Sequence, residues 1–249
     1  MKVILLAAGV GRRFGARTKT LPKCLIPLGK RGENLLRRYL DSFRTLNLKN
    51  IVIVVGHQKE KIKKECRRHP RAGIRFIFNK NYRRGSIVSL HAASKELNDD
   101  CLIMDADVYF PTAILKRLVQ SGKKTAFLVD PRSKSAGEEM MLMAKDGRPA
   151  AISKKTDPKL KILGEATGFF KIWKKHAPFL GRILRNFISA GRLDLEYEAT
   201  YTELMKKTSV GAVSVGNSFW TEMDFEEDLK KIQTRNVYSR PGSRSLSGG

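Results

Sequence analysis

The stretch Val3-Ile4-Leu5-Leu6-Ala7-Ala8-Gly9-Val10-Gly11-Arg12-Arg13-Phe14-Gly15, followed by Leu21-Pro22-Lys23, decides how the chain is read. Val3 to Leu6 is a short apolar run suited to a strand buried on both faces. Ala7 to Gly15 is a small-residue loop carrying two arginines, and Lys23 adds a further cation nearby. Small residues let backbone N–H groups approach an anion closely, and arginine and lysine neutralise it. The pattern is that of a polyphosphate cradle at the end of a strand. The bland alternative is a tight turn with solvated arginines. A dinucleotide fingerprint would need glycines at the first, third and sixth places; Gly9 and Gly11 fit, but the sixth place is Phe14. A P-loop would need Gly-Lys-Ser or Gly-Lys-Thr, which does not occur.

Outward from the cradle, hydrophobic periodicity alternates. Leu35, Leu36, Tyr39, Leu40, Phe43 and Leu46 have helical spacing, and Ile51 to Val55 is a second buried strand ended by Gly56. A charged helix over Lys59 to Arg68, a strand over Ile74 to Phe78 and a helix beginning near Ser86 follow. The strand Cys101 to Met104 terminates in Asp105-Ala106-Asp107. Strands alternating with helices predict an α/β fold with a mostly parallel, doubly wound, Rossmann-like sheet. Ligands on such sheets sit at the carboxyl ends of the strands, where the cradle and the Asp105–Asp107 pair both fall. Short strands at Ala126 to Val129, Met140 to Ala144 and Ala150 to Ser153 lead to Gly164-Glu165-Ala166-Thr167-Gly168-Phe169, an added β region. Helices are predicted at 174–190 and 196–207, a strand at 210–215 and a last helix at 225–233. One domain over 1–235 is expected, with a polar, disordered tail over 236–249.

The 249 residues can bury a full core, and no apolar run approaches the roughly 20 residues of a membrane span. The N-terminal apolar run is too short for a signal peptide and overlaps the cradle, so it is read as the first strand. Three cysteines without paired spacing suit a reducing, cytoplasmic setting and no structural zinc. The net charge of +25 invites a nucleic-acid reading. Its cations are spread, however: nine between Arg12 and Arg38 and eleven between Lys59 and Arg84, with no RNA-binding aromatic signature or helix-turn-helix pattern. A basic surface that attracts anionic substrates accounts for the charge more simply, and neither a membrane nor a nucleic acid is the expected partner.

Leu6-Ala7-Ala8-Gly9-Val10-Gly11-Arg12-Arg13 with Pro22-Lys23 resembles the signature of the GT-A-like nucleotidyltransferases that make nucleoside-diphosphate sugars and alcohols. Arg13 matches the motif arginine; Arg12 stands where serine or threonine is usual. Ile53-Val54-Val55-Gly56-His57-Gln58-Lys59-Glu60, with His57 where tyrosine is common, is similar to the branch of cytidylyltransferases acting on phosphocholine, 2-aminoethylphosphonate and inositol phosphate. So are Phe78-Asn79-Lys80-Asn81-Tyr82, Ser86-Ile87-Val88-Ser89-Leu90 and Met104-Asp105-Ala106-Asp107-Val108-Tyr109. The resemblance covers roughly residues 1 to 235. It implies transfer of CMP from CTP to a small phosphorylated or phosphonate acceptor, with magnesium as cofactor and pyrophosphate as leaving group.

The same resemblance carries roles to individual residues. Arg13 and Lys23 become catalytic cations; Leu6, Ala7, Ala8, Gly9, Gly11, Arg12, Ser86, Ser89 and Asp105 bind the nucleotide, with Ser86 and Ser89 against the base. Trp220-Thr221-Glu222-Met223-Asp224 resembles a late family motif whose aspartate joins the Asp-x-Asp carboxylate, so Asp107 and Asp224 are the implied metal ligands. Read from composition alone, both are also good helix N-caps, Asp224 with Glu227 forming a capping box. Lys154, Glu165, Tyr109, Tyr197 and Trp220 are the acceptor-side candidates, since a cationic head binds over ring faces beside a carboxylate. A phosphate monoester has a second pKa near 6 and attacks without a general base, which agrees with the lack of a Ser/His/Asp constellation. The alternatives are a sugar-1-phosphate nucleotidyltransferase using UTP, dTTP or GTP, a nucleotide-binding regulator without turnover, and a basic nucleic-acid-binding protein. A homodimer is compatible with the sequence.

Overall fold

The computed structural model describes residues 1–29, 32–69 and 73–238. The apolar run at the N-terminus becomes β1 (Lys2–Ala7), every residue of it buried. It lies between β2 (Asn50–Val55) and β4 (Cys101–Asp105), parallel to both, and β3 (Ile74–Phe78) extends the parallel set beyond β2. Side chains alternate across a strand. Val3 and Leu5 therefore join one core layer with α1 (Leu35–Thr45), α2 (Lys59–Arg68) and α4 (Thr112–Gln120), while Ile4 joins the layer of α3 (Ile87–Ala92), α5 (Ala177–Ser189) and α6 (Glu198–Met205).

Because β2 and β3 lie to one side of β1 and β4 to the other, the strand order reverses between β1 and β4. That is the crevice where a doubly wound sheet binds its ligand. Beyond β4 the sheet turns mixed. The twelve-residue β9 (Lys161–Ile172) runs antiparallel between β4 and β6 (Ala126–Asp130), and β10 (Gly211–Ser214) closes that edge parallel to β6. The first half of β9 leaves the central sheet and pairs with β7 (Met141–Lys145), which in turn pairs with β8 (Arg148–Ser153). This hairpin is the added β region expected from the sequence.

Several short elements were not anticipated, among them 3-10 turns at Lys23–Leu25 and Ser94–Glu96. A 3-10 stretch, Arg12–Lys19, broken by a kink at Gly15, follows the cradle. A two-stranded ladder joins β5 (Val108–Tyr109) to β11 (Thr221–Glu222), pairing Val108 with Glu222. The last helix, α7 (Glu226–Tyr238), outruns its expected end and takes in the first three residues assigned to a disordered tail; 239–249 lie outside the described residues.

Candidate active site

The cradle is held from behind by its own chain and by the end of β2. Gly11 has φ +66°, and a Cβ there would meet Thr18 Cγ2 at 3.0 Å, so both backbone and space favour glycine. The Thr18 hydroxyl lies 2.8 Å from Gly11 O and 2.9 Å from Gly15 O. His57 Nε2 lies 2.7 Å from Thr18 O; a carbonyl only accepts, so Nε2 is the donor. The residue that departs from the family's tyrosine thus becomes a tie to the cradle.

The cations of the cradle meet carboxylates delivered by the end of β4 and by the β5–β11 ladder. Met223 N donates to Asp107 O at 2.9 Å, continuing the β5–β11 pairing and bringing Asp224 alongside Asp107. Lys23 Nζ donates to Asp107 Oδ2 at 2.8 Å and to Asp224 Oδ1 at 2.6 Å. Arg13 Nη2 holds the other Asp224 oxygen at 2.7 Å. Burial alone would lower Lys23; the two carboxylates outweigh it and hold the ammonium above its ordinary pKa. Among the described residues neither aspartate side chain accepts from a helix N–H. Pro111 precedes α4 without a side-chain cap, and Asp228 Oδ2 accepts from Asp224 N and Phe225 N at the start of α7. The capping alternative is thereby excluded.

A second layer of acids lies deeper. Asp105 Oδ2 accepts from Tyr197 Oη at 2.5 Å, and burial pushes Asp105 well up, with Glu198 and Asp107 adding to the effect. Burial raises Glu198 to about 8. Glu222 is also pushed well up by burial, and further by Asp107, Asp224 and Asp105. The sequence points to Glu198 only as part of the acid–aromatic stretch Glu196-Tyr197-Glu198, and the sequence reading missed Glu222. For Glu222 a signal existed: Glu222-Met223-Asp224 repeats the acid-x-Asp spacing of Asp105-Ala106-Asp107.

These groups line one cleft of ≈ 580 Å³, a size that suits a nucleotide-sized ligand. The cradle residues from Leu6 to Arg13 line it, as do Lys23, Ser86, Ser89, Asp105, Asp107 and Asp224. From the acceptor side come Lys154, Glu165 and Tyr197, with Glu138, Glu139 and Glu196. Glu138 spans the mouth, 3.3 Å from Arg13 and 3.5 Å from Lys154; Lys154 is also 3.3 Å from Glu196. Burial raises Glu165 above its ordinary value.

Two expected acceptor residues are not brought to this cleft. Tyr109 is buried by the β5–β11 ladder, its ring under the Arg38 guanidinium at 4.4 Å and 6.0 Å from that of Phe219. Trp220 Nε1 donates to Asp130 Oδ2 at 2.9 Å, which turns its ring to the β6 edge.

The fold and this cleft define a nucleotide-handling α/β domain, and the chain belongs to the MobA-like NTP transferase domain family, whose model matches residues 3–178. It is 26% identical over 233 residues to the bifunctional IPC transferase and DIPP synthase of Aquifex aeolicus, covering 92% of this chain and 50% of that protein. It is 27% identical over 241 residues to the choline-phosphate cytidylyltransferase of Streptococcus pneumoniae, covering 94% and 97%. The chain therefore spans half the length of the first relative and nearly all of the second. Among solved structures, a UDP-glucose pyrophosphorylase complexed with UDP-glucose shares the fold with a TM-score of 0.77 at 14% identity, covering 96% of this chain and 99% of that one.

Proposed function

We propose that the protein is a magnesium-dependent cytidylyltransferase that moves CMP from CTP to a small phosphorylated or phosphonate acceptor and releases pyrophosphate. One observation carries this reading: two cations of a glycine cradle and two carboxylates from distant elements meet at the switch point of a doubly wound sheet.

The donor set fits magnesium, which is usually held by one or two carboxylates with phosphates and waters completing its octahedron. Asp107 and Asp224 offer hard oxygens beside the cradle, already gathered around one ammonium. Bound there, magnesium would supply Lewis-acid polarisation and a template for the phosphates. The protein's own groups do the rest by positioning and charge. Backbone N–H groups of the cradle orient the triphosphate. Arg13 and Lys23 exchange their carboxylate partners for phosphate oxygens and stabilise the charge that develops at the α-phosphorus. Lys154 holds the acceptor phosphate, whose oxygen attacks the α-phosphorus in line while the α–β phosphoanhydride bond breaks. The acids at the acceptor side, Glu139 and Glu196 among them, favour an acceptor with a cationic head, of the phosphocholine or 2-aminoethylphosphonate type, over a hydroxyl-rich inositol phosphate.

The test is pyrophosphate release over a grid of four nucleoside triphosphates and several phosphorylated acceptors, with and without magnesium. Release is expected with CTP, a phosphorylated amino alcohol and magnesium together. No release from any pair removes the enzyme reading; release with UTP or dTTP and a hexose 1-phosphate moves it to the sugar nucleotidyltransferases.

A further inference from the structure

We propose that Asn79, a residue outside the cleft, fixes the hydrogen-bond polarity of the base pocket and thereby makes it selective for cytosine over uracil. The inference rests on the nucleotide-binding half of the reading above. Asn79 follows β3 and is buried, with 4% exposure. Asn81 N lies 2.9 Å from one side-chain atom of Asn79, and because a backbone N–H only donates, that atom is the carbonyl Oδ1. The amide orientation is therefore forced, and Nδ2 faces Ser89 Oγ at 3.0 Å. An amide N–H₂ donates, so Ser89 accepts, and its single proton is left for a ligand in the cleft that Ser89 lines.

Ser86 obeys the same logic. Tyr197 N donates to Ser86 Oγ at 3.0 Å, and Ser86 does not cap α3 with its side chain. Among the described residues neither serine hydroxyl has an acceptor, although both accept a bond. The arrangement is stiff. Gly85 N and Ile87 N donate to Leu193 O and Leu195 O at 3.0 and 3.1 Å, and a Cβ on Gly85 would stand 2.2 Å from Leu195 O. Ser86 and Ser89 are three residues apart at the start of a helix, the spacing that puts side chains on one face. The pocket thus presents two donors.

Cytosine carries two adjacent acceptors, N3 and O2, on its pairing edge. Uracil has a proton on N3. The two hydroxyl protons both find acceptors on the first; in the second, N3–H can take only the remaining lone pair of a serine, which leaves that serine's proton without an acceptor. Asn79 is a positioning residue here: it touches no substrate and acts through Ser89. A carboxylate at position 79 would accept from both Asn81 N–H and Ser89 Oγ–H, so Ser89 would offer the base a lone pair.

The experiment measures equilibrium binding of CTP and of UTP, each with magnesium, by titration calorimetry at pH 8 on the wild type, Asn79→Asp and Ser89→Ala, with melting curves for each. The wild type should favour CTP by about tenfold or more. Asn79→Asp should cut that ratio by about tenfold through weaker CTP and tighter UTP binding, and Ser89→Ala should cut it through CTP alone. A purely structural role for Asn79 would weaken both nucleotides alike; an unchanged ratio overturns the proposal, as does a wild type with no preference for CTP. Should Asn79→Asp fail to fold, an unchanged ratio in Ser89→Ala overturns it equally. Cytosine-selective binding without pyrophosphate release would remove the transfer reading alone and leave this one standing.

Discussion

Lys2 and Lys23 are both largely buried lysines paired with carboxylates, at opposite ends of the same sheet, and their surroundings differ in kind. At the amino ends of the strands, Lys2 Nζ spends its three protons on Glu96 O at 2.9 Å, Asn98 Oδ1 at 2.6 Å and Glu96 Oε2 at 2.8 Å. Glu96 is clamped from outside by a bidentate Arg75. Every group there is satisfied by a fixed partner, backbone included, which is how a buried charge persists without another role. At the carboxyl ends, Lys23 has two carboxylates, no backbone acceptor among the described residues, a further pair of raised acids behind it and an open cleft in front. The first constellation is closed. The second has partners that a phosphate and a divalent cation can exchange, and the two should respond oppositely to mutation.

The largest expected effect is therefore on activity at the cleft. Asp224→Ala or Asp107→Ala should lower kcat/KM by about a thousandfold or more. Melting should change little, because surrounding acids already exceed what two cations can pair. Steady-state pyrophosphate release and calorimetry on the same samples check both halves. A destabilised but active variant would make this constellation structural, like the one at Lys2. Next is Lys23→Met, which keeps the aliphatic stem and removes the charge; a loss of about a hundredfold, mainly in kcat, is expected. A change in KM alone would show that Lys23 only binds.

At the closed end the currency is stability. Glu96→Gln keeps the shape and the backbone acceptor while removing the charge that Lys2 and Arg75 share. A loss of about 1–3 kcal/mol with unchanged kcat is expected. The pH dependence has a definite sign. The bidentate Arg75 clamp, with Lys2 behind it, holds the Glu96 carboxyl down to about 2 against an ordinary 4.5. Its contribution is thus complete above about pH 4.5 and is lost as pH falls toward 2. Denaturant midpoints measured from pH 6 to 2 should fall more steeply in the wild type than in Glu96→Gln. Parallel curves would mean that Glu96 does not couple to folding.

The same contrast explains what could be read from the sequence. The parallel half was legible because its signals are local: unbroken apolar runs for β1, β2 and β4, helical spacing in α1, and glycines where Gly11 needs a positive φ. Asp105-Ala106-Asp107 announced itself by ending a buried strand. The partners of these groups were harder, since they arise from pairing between distant segments. Tyr109 and Trp220 read as free aromatics until the short β5–β11 ladder and Asp130 take them up. Glu198 stood out only as part of Glu196-Tyr197-Glu198, an aromatic flanked by acids at the start of a helix, and it is the packing of α6 against the cleft that desolvates it. His57 broke a family pattern for a reason no local signal carries, a bond to a carbonyl thirty-nine residues away.

The smallest expected effect tests how exchangeable the open constellation is. Glu138 leans across the cleft mouth, 3.3 Å from Arg13 and 3.5 Å from Lys154, with its side chain 70% exposed. Under the proposed function both cations are claimed by phosphates, so Glu138 would compete with each substrate. Exposed pairs of this kind are worth little, about 0.2–1 kcal/mol each. Glu138→Gln keeps the size and removes the competitor, and KM for nucleotide and acceptor should each fall by about two- to fivefold with kcat unchanged. Because the pairs are solvent-screened, the advantage should shrink as salt is raised. An increase in KM instead would mean that Glu138 helps to seat the substrates, and the cleft mouth would then belong with the fixed groups around Lys2 rather than with the exchangeable ones around Lys23.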